Sequence, residues 1–137
     1  MKDIQSLLQR AKALKATDIH IVAGSPVMAR VDGELTAMGK TRLTRQASQQ
    51  LCYTFLNKAE IEAFERTRDL DTMISDEEHC RYRVNISYNS GDVGGVIRLL
   101  PSAPIQLEQL RLPKLVGAMT QARKGMILLT GSTSQGR

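Results

Sequence analysis

Apolar residues recur near the start of the chain at positions 4, 7, 8, 11 and 14, the 3.6-residue rhythm of an amphipathic helix, so Ile4 to Leu14 is predicted helical. Lys12 and Lys15 fall in its last turns, where cations suit the helix dipole. The period then shortens to two. Ile19 and Ile21 alternate with Asp18 and His20, which predicts a half-buried strand in which His20 reads as a surface or strand-packing histidine. Gly24, Ser25 and Pro26 turn the chain, Val27 to Val31 gives a second strand, and Asp32-Gly33 is a tight hairpin signal leading into Glu34 to Met38. Thr44 is placed to cap a helix over RQASQQLCYTFL, with Ala47, Leu51, Phe55 and Leu56 on one face and Asn57 as its break. A short helix, Lys58 to Arg66, turns Ile61 and Phe64 inward, and Asp69 to Ile74 reads as a strand.

The clearest alternation lies in CRYRVNISYNSGDVGGVIRLLP. Tyr82, Val84, Ile86 and Tyr88 take one face against Arg81, Arg83, Asn85 and Ser87 on the other. Asn89 to Asp92 makes a turn, and Val93 to Leu100 returns as an antiparallel partner. Pro101 to Pro104 has no apolar periodicity and reads as a linker. Ile105 to Leu110 and Pro113 to Ala122 predict two short helices, and Met126 to Leu129 a buried terminal strand.

At 137 residues the chain has room for one domain, or for a domain of roughly 100 residues and the beginning of another. Its 42% hydrophobic and 24% charged content is that of an ordinary globular protein. No apolar run approaches the ~20 residues a bilayer span needs, and the charged N-terminus lacks a signal-peptide core, so the expected compartment is the cytoplasm. The two cysteines, Cys52 and Cys80, have no metal-ligand spacing and read as reduced packing thiols. The net charge of +5 admits nucleic acid as a partner, but the positive charges are scattered and only 4% of residues are aromatic, so no stacking platform accompanies them. Nucleic-acid binding is not expected, and it would show itself as affinity falling steeply with salt.

Candidate chemistry sits in two places. After the apolar run, Gly131, Ser132, Thr133, Ser134, Gln135, Gly136 and Arg137 follow the pattern of a phosphate-cradling loop, whose backbone N–H groups converge on phosphate oxygens. Arg137 stands where the pattern has Lys, a broad planar fork in place of a point charge. The hairpin gathers Arg81, Arg83 and Arg98 on one sheet, a group able to stabilise terminal-phosphate charge or simply to keep the strands soluble. Asp69 and Asp71 share a strand face and read as solvated acids rather than a metal pair.

Taken together, TDIHIVAGSPVMARVDGEL, RYRVNISYNSGDVGGVIRLLP, LEQLRLP and GMILLTGSTSQG stand in an order and spacing that resembles the N-terminal part of the type IV pilus retraction ATPases, of the type II/IV secretion ATPase superfamily. The resemblance implies an α+β fold. A PAS-like domain over residues 1–100, a mainly antiparallel sheet flanked by helices, is followed by a linker over 101–104 and by the beginning of a RecA-like ATPase domain over 105–137, ending within the phosphate loop. It implies a hexameric ring using ATP and Mg²⁺ to drive pilus retraction and twitching motility. The implied partners are the other subunits of the ring and an inner-membrane pilus or secretion platform protein, met at the cytoplasmic face of the bacterial inner membrane. Arg81, Arg83 and Arg98 match the family's phosphate-reaching arginines, and residues 131–137 its loop. The family's catalytic glutamate and Mg²⁺-supporting acids would follow Arg137, so this polypeptide alone is not expected to hydrolyse ATP. The alternative is a stand-alone, non-catalytic module that docks onto a related motor ring.

Overall fold

In the computed structural model, which describes residues 2–101, 106–110, 112–128 and 130–131, the alternation of the central hairpin decides the architecture. The chain divides into two units, Met1–Ser102 and Ala103–Arg137. In the first, α1 (Lys2–Ala13) precedes β1 (Asp18–Ile21), β2 (Met28–Val31) and β3 (Glu34–Ala37). Then come α2 (Arg45–Tyr53), α3 (Lys58–Thr67), β4 (Asp69–Ser75), β5 (Arg81–Asn89) and β6 (Asp92–Leu99). The six strands form one sheet in the order β3-β2-β1-β6-β5-β4, every pairing antiparallel. This is the mixed α+β architecture that the sequence predicts.

Period-two alternation gives the sheet one apolar face. Tyr82, Val84 and Ile86 of β5, Val93 and Ile97 of β6, Ile19 and Ile21 of β1 and Ala29 of β2 are buried together with Leu8 and Ala11 of α1, Cys52 of α2 and Phe64 of α3. Phe64, fully buried, stacks on Tyr88 at 5.4 Å and meets Tyr53 edge-on at 5.9 Å. All three helices therefore cover the same side. Both tight hairpins turn through two residues of positive φ, Asp32 and Gly33 (50° and 87°) and Ser90 and Gly91 (53° and 88°), the conformation that suits the twist of the flanking strands.

Thr44 caps α2 through its hydroxyl, which accepts from the Ala47 amide at 3.1 Å. Of the predicted face, Phe55 is buried and Leu51 and Leu56 pack partly buried against the core, but within α2 itself the buried residues are Ser48 and Cys52. The cause is on β6: a Cβ at Gly95 would lie 3.2 Å from Cys52 Sγ, so the missing side chain lets α2 sit close to the strand. Ser48 Oγ then donates to the Val93 carbonyl at 2.7 Å. Asn57, expected as a break, starts the next helix. Its side chain accepts from the Glu60 amide at 3.0 Å while its own amide donates to the Glu60 carboxylate at 2.9 Å, a reciprocal capping box.

In the second unit a 3-10 turn, Leu107–Leu110, and α4 (Lys114–Thr120) stand where two short helices are predicted. Met126, Ile127 and Leu128 form no strand and are 81%, 55% and 73% exposed. A strand of this apolar kind requires paired neighbours and a covering layer, and no strand lies beside it among the described residues of this unit.

One buried carboxylate ties α1 to the sheet. Asp76, its side chain 5% exposed, accepts from Lys12 Nζ at 2.5 Å and the Tyr82 hydroxyl at 2.7 Å through Oδ2, and from the Glu78 and Cys80 amides at 3.0 and 2.9 Å through Oδ1. Burial alone pushes such a carboxyl up, but the Lys12, Tyr82 and Cys80 donors outweigh it and hold the pKa at about 2. The unfolded chain thus takes up this proton first, so the contribution of Asp76 is whole above pH ~4 and is lost as the pH falls towards 2. Asp76→Asn is expected to cost about 2–4 kcal/mol at pH 7 and to flatten the acid limb in urea melts from pH 7 to 2. Matching profiles for the two proteins would show that the carboxylate contributes nothing.

Candidate functional site

The residues that alternate with the core form a second face, which the helices of this unit leave open. Register sets its pattern. Arg30 of β2 lies opposite Asp18 of β1, Asp18 opposite Arg98 of β6, and Arg98 opposite Arg83 of β5, so four charged residues form a row across adjacent strands. Like charges directly opposite each other destabilise a sheet pair, and Arg83 and Arg98 would do so without counter-ions. Each has its own. Arg83 is held by Asp71, diagonally placed on β4, with Nη2 2.5 Å from Oδ2 and Nε 3.1 Å from Oδ1. Arg98 Nε donates to Asp18 Oδ1 at 2.9 Å, and Arg30 Nε lies 3.8 Å from Asp18 Oδ2.

Asp18 is the most enclosed charge of this face, its side chain 10% exposed, and the Thr17 hydroxyl donates to it at 2.8 Å. Burial pushes its carboxyl up, and Arg98 with Thr17 more than reverses the shift, leaving it below the ordinary range. Asp71 is lowered chiefly by its hydrogen bonds from Arg83. Together Asp71, Arg83, Asn85, Val96 and Arg98 line a cleft of ≈ 300 Å³. Arg81, two residues before Arg83 on the same strand face, is exposed and has no ion pair or side-chain hydrogen bond among the described residues.

The three predicted arginines thus share one face, with Arg83 and Arg98 as direct neighbours across the β5–β6 ladder. Gly131 is exposed and outside regular structure, and Ser132 to Arg137, the rest of the predicted loop, lie outside the described residues. The sequence reading passed over Asp18, Arg30 and the pairing of Asp71. Among the described residues one group of metal-ligating side chains comes together, Asp76, Glu78 and Cys80, with ligand atoms within 4.8 Å of one another. The Lys12 ammonium, 2.5 Å from Asp76 and 2.8 Å from Glu78, is the cation of that group. Cys52 is buried and its thiol is pushed up to about 12 by burial, consistent with a packing thiol.

No family model matches the chain. The chain is 29% identical over 135 residues to the type IV pilus retraction ATPase PilT of Pseudomonas aeruginosa, a match covering 98% of this chain and 39% of that protein. Among solved structures, the pilus retraction motor PilT with bound ADP superposes with a TM-score of 0.69 at 30% identity, over 80% of this chain and 32% of that one. The Legionella pneumophila ATPase DotB superposes with a TM-score of 0.82 at 25% identity, over 98% of this chain and 38% of that one. The chain is therefore homologous to ATPases of the type II/IV secretion superfamily, and its helix-backed antiparallel sheet has the N-terminal regions of those ATPases as its structural neighbours. Within that superfamily, the chain is homologous to the pilus retraction and twitching motility ATPases, of whose length it spans about two fifths.

His20 lies on the open face between Met28 and Val96, and its Nε2 is buried without a hydrogen-bond partner. Burial, and then the charge of Arg30, lower its pKa against the smaller opposing effect of Asp18. The unfolded chain therefore protonates first, and the folded state loses stability as the pH falls through about 6.5. His20→Leu removes the orphaned atom and is expected to match or exceed the wild type by up to ~1 kcal/mol at pH 7.5, with a smaller loss between pH 7 and 5 in thermal melts. An unchanged pH profile would assign that loss to other groups.

Proposed function

We propose that this chain is the N-terminal part of a hexameric motor ATPase that powers pilus retraction, and that its open sheet face brings Arg81, Arg83 and Arg98 to the terminal phosphate of ATP. One observation carries the reading. Three guanidiniums stand on one face of a rigid sheet, with Arg83 and Arg98 in register and lining a common cleft. A sheet holds such groups with little freedom, and preorganised cations of this kind stabilise charge that develops on a transferring phosphoryl group. The ADP bound in the PilT structure supports nucleotide as the ligand. In this reading residues 131–137 form the phosphate loop of the RecA-like domain, Mg²⁺ accompanies the nucleotide, and the complete ring hydrolyses ATP at the cytoplasmic face of the inner membrane against a platform protein. The 137 residues contribute arginines and domain contacts to that reaction.

The test uses the complete ring-forming polypeptide that carries this segment. Arg81→Ala, Arg83→Ala and Arg98→Ala are each expected to lower ATP turnover by about 10²-fold or more. Arg81 has no side-chain partner among the described residues and the Arg83–Asp71 pair is exposed, so chemical denaturation should register little loss for Arg81→Ala and Arg83→Ala, whereas Arg98→Ala leaves the enclosed Asp18 with only Arg30 and Thr17 and is expected to lose more. Loss of stability in proportion to loss of turnover would make the arginines structural and remove the basis of the reading.

A further inference from the structure

The three arginines of the open face are not equivalent, because their carboxylate partners occupy different nitrogens. Arg83 presents Nε and Nη2 to Asp71, with Nε 3.1 and 3.0 Å from its two oxygens and Nη2 2.5 Å from Oδ2. This is the edge with which a guanidinium grips a carboxylate or a phosphate through two parallel bonds, and in Arg83 it is taken. Arg98 gives only Nε to Asp18, so its two terminal nitrogens keep no acceptor among the described residues. The Arg81 side chain has no ion-pair or hydrogen-bond partner among the described residues. The carboxylates differ as well. The Asp71 side chain is 42% exposed on an edge strand, where another anion can replace it, whereas Asp18 is enclosed between Arg98, Arg30 and the Thr17 hydroxyl.

We infer that Asp71 is an intramolecular stand-in for a phosphate group, which must release Arg83 before that arginine serves a ligand, and that Asp18 is a positioning residue that presents the free nitrogens of Arg98 to the same cleft. The inference rests on the reading of Arg81, Arg83 and Arg98 as phosphate contacts and gives each a separate role. Arg81 meets the anion first, Arg98 is held ready, and Arg83 joins when its counter-ion is exchanged. An exposed ion pair is weak enough for that exchange, and the incoming phosphate restores the charge balance that Asp71 leaves.

The two carboxylates offer a test of opposite sign. Asp71→Asn and Asp18→Asn each remove one negative charge beside the cleft, so electrostatics alone makes both variants bind an anion more tightly. Positioning separates them. The experiment is a titration of inorganic tripolyphosphate at constant ionic strength into the 137-residue chain and both variants, following the arginine Nε–H signals by NMR. Asp71→Asn is expected to shift the Arg83 signal before any ligand is added and to tighten binding about two- to fivefold, and Asp18→Asn to weaken it by a similar factor. Backbone spectra check the fold of each variant, and if Asp18→Asn does not fold, the Asp71→Asn arm decides alone. Tightening by equal amounts in both, or an Arg83 signal and affinity unmoved by Asp71→Asn, overturns the inference while leaving the arginines as phosphate contacts. If no arginine signal responds to tripolyphosphate in any of the three proteins, the phosphate reading itself fails and the inference falls with it.

Discussion

Everything in the first unit depends on the register of β6 between β5 and β1. β6 is the strand through which the β1–β2–β3 half of the sheet joins the β5–β4 half. With a side-chain period of two, a slip of one residue would carry Val93 and Ile97 out of the core and turn Arg98 into it. Two glycines fit the strand to its neighbours. A Cβ at Gly94 would lie 2.9 Å from the Ile21 carbonyl oxygen of β1, and one at Gly95 would press on Cys52 of α2. The pair thus allows close approach of a strand on one side and of a helix on the sheet's covered face.

The same register creates the electrostatic problem that the open face answers. Placing Arg83 opposite Arg98 sets two cations side by side, and the sheet accommodates them because Asp71 and Asp18 reach each from different directions. On the other side, Asp76 performs a related task for α1, gathering an ammonium, a phenol and two backbone amides around one carboxylate. The contrast lies in what is left over. Asp76 sits among donors that complete its shell, whereas the open face keeps donors on Arg81 and Arg98 that have no acceptor among the described residues. A structural network closes on itself, and a site retains unused capacity.

Much of the fold is legible in the sequence because it rests on local rules. Alternation marks β5 and β6, two-residue turns with glycine mark both hairpins, and Thr44 marks the start of α2. The burial of Ser48 and Cys52 on α2 is not legible, because it depends on the glycine at position 95 that lets the helix approach β6. In the same way, period two places Arg81 and Arg83 on one face, but the partners of Arg83 and Arg98 depend on strand register. Asp71 and Asp69 read as solvated acids until β4 is laid against β5, which brings Asp71 to Arg83 and Asp69 within 3.2 Å of the Asn85 amide. Asp18 and Arg98 lie 80 residues apart, and only the folded sheet joins them. The run at 126–128 shows the opposite limit. Its composition suits a buried strand, yet strand formation is a property of neighbours that those residues do not have in the described structure.

The central claim is that the open, arginine-bearing face exists to meet a terminal phosphate. The most direct measurement is a structure of a complete, ring-forming polypeptide carrying this segment, loaded with a non-hydrolysable ATP analogue and Mg²⁺. The account predicts a guanidinium of this face, Arg81 or Arg98 first, within about 2.7–2.9 Å of an oxygen of the terminal phosphate. A ring in which these arginines face bulk water or another protein surface, with every phosphate contact supplied from elsewhere, would contradict it.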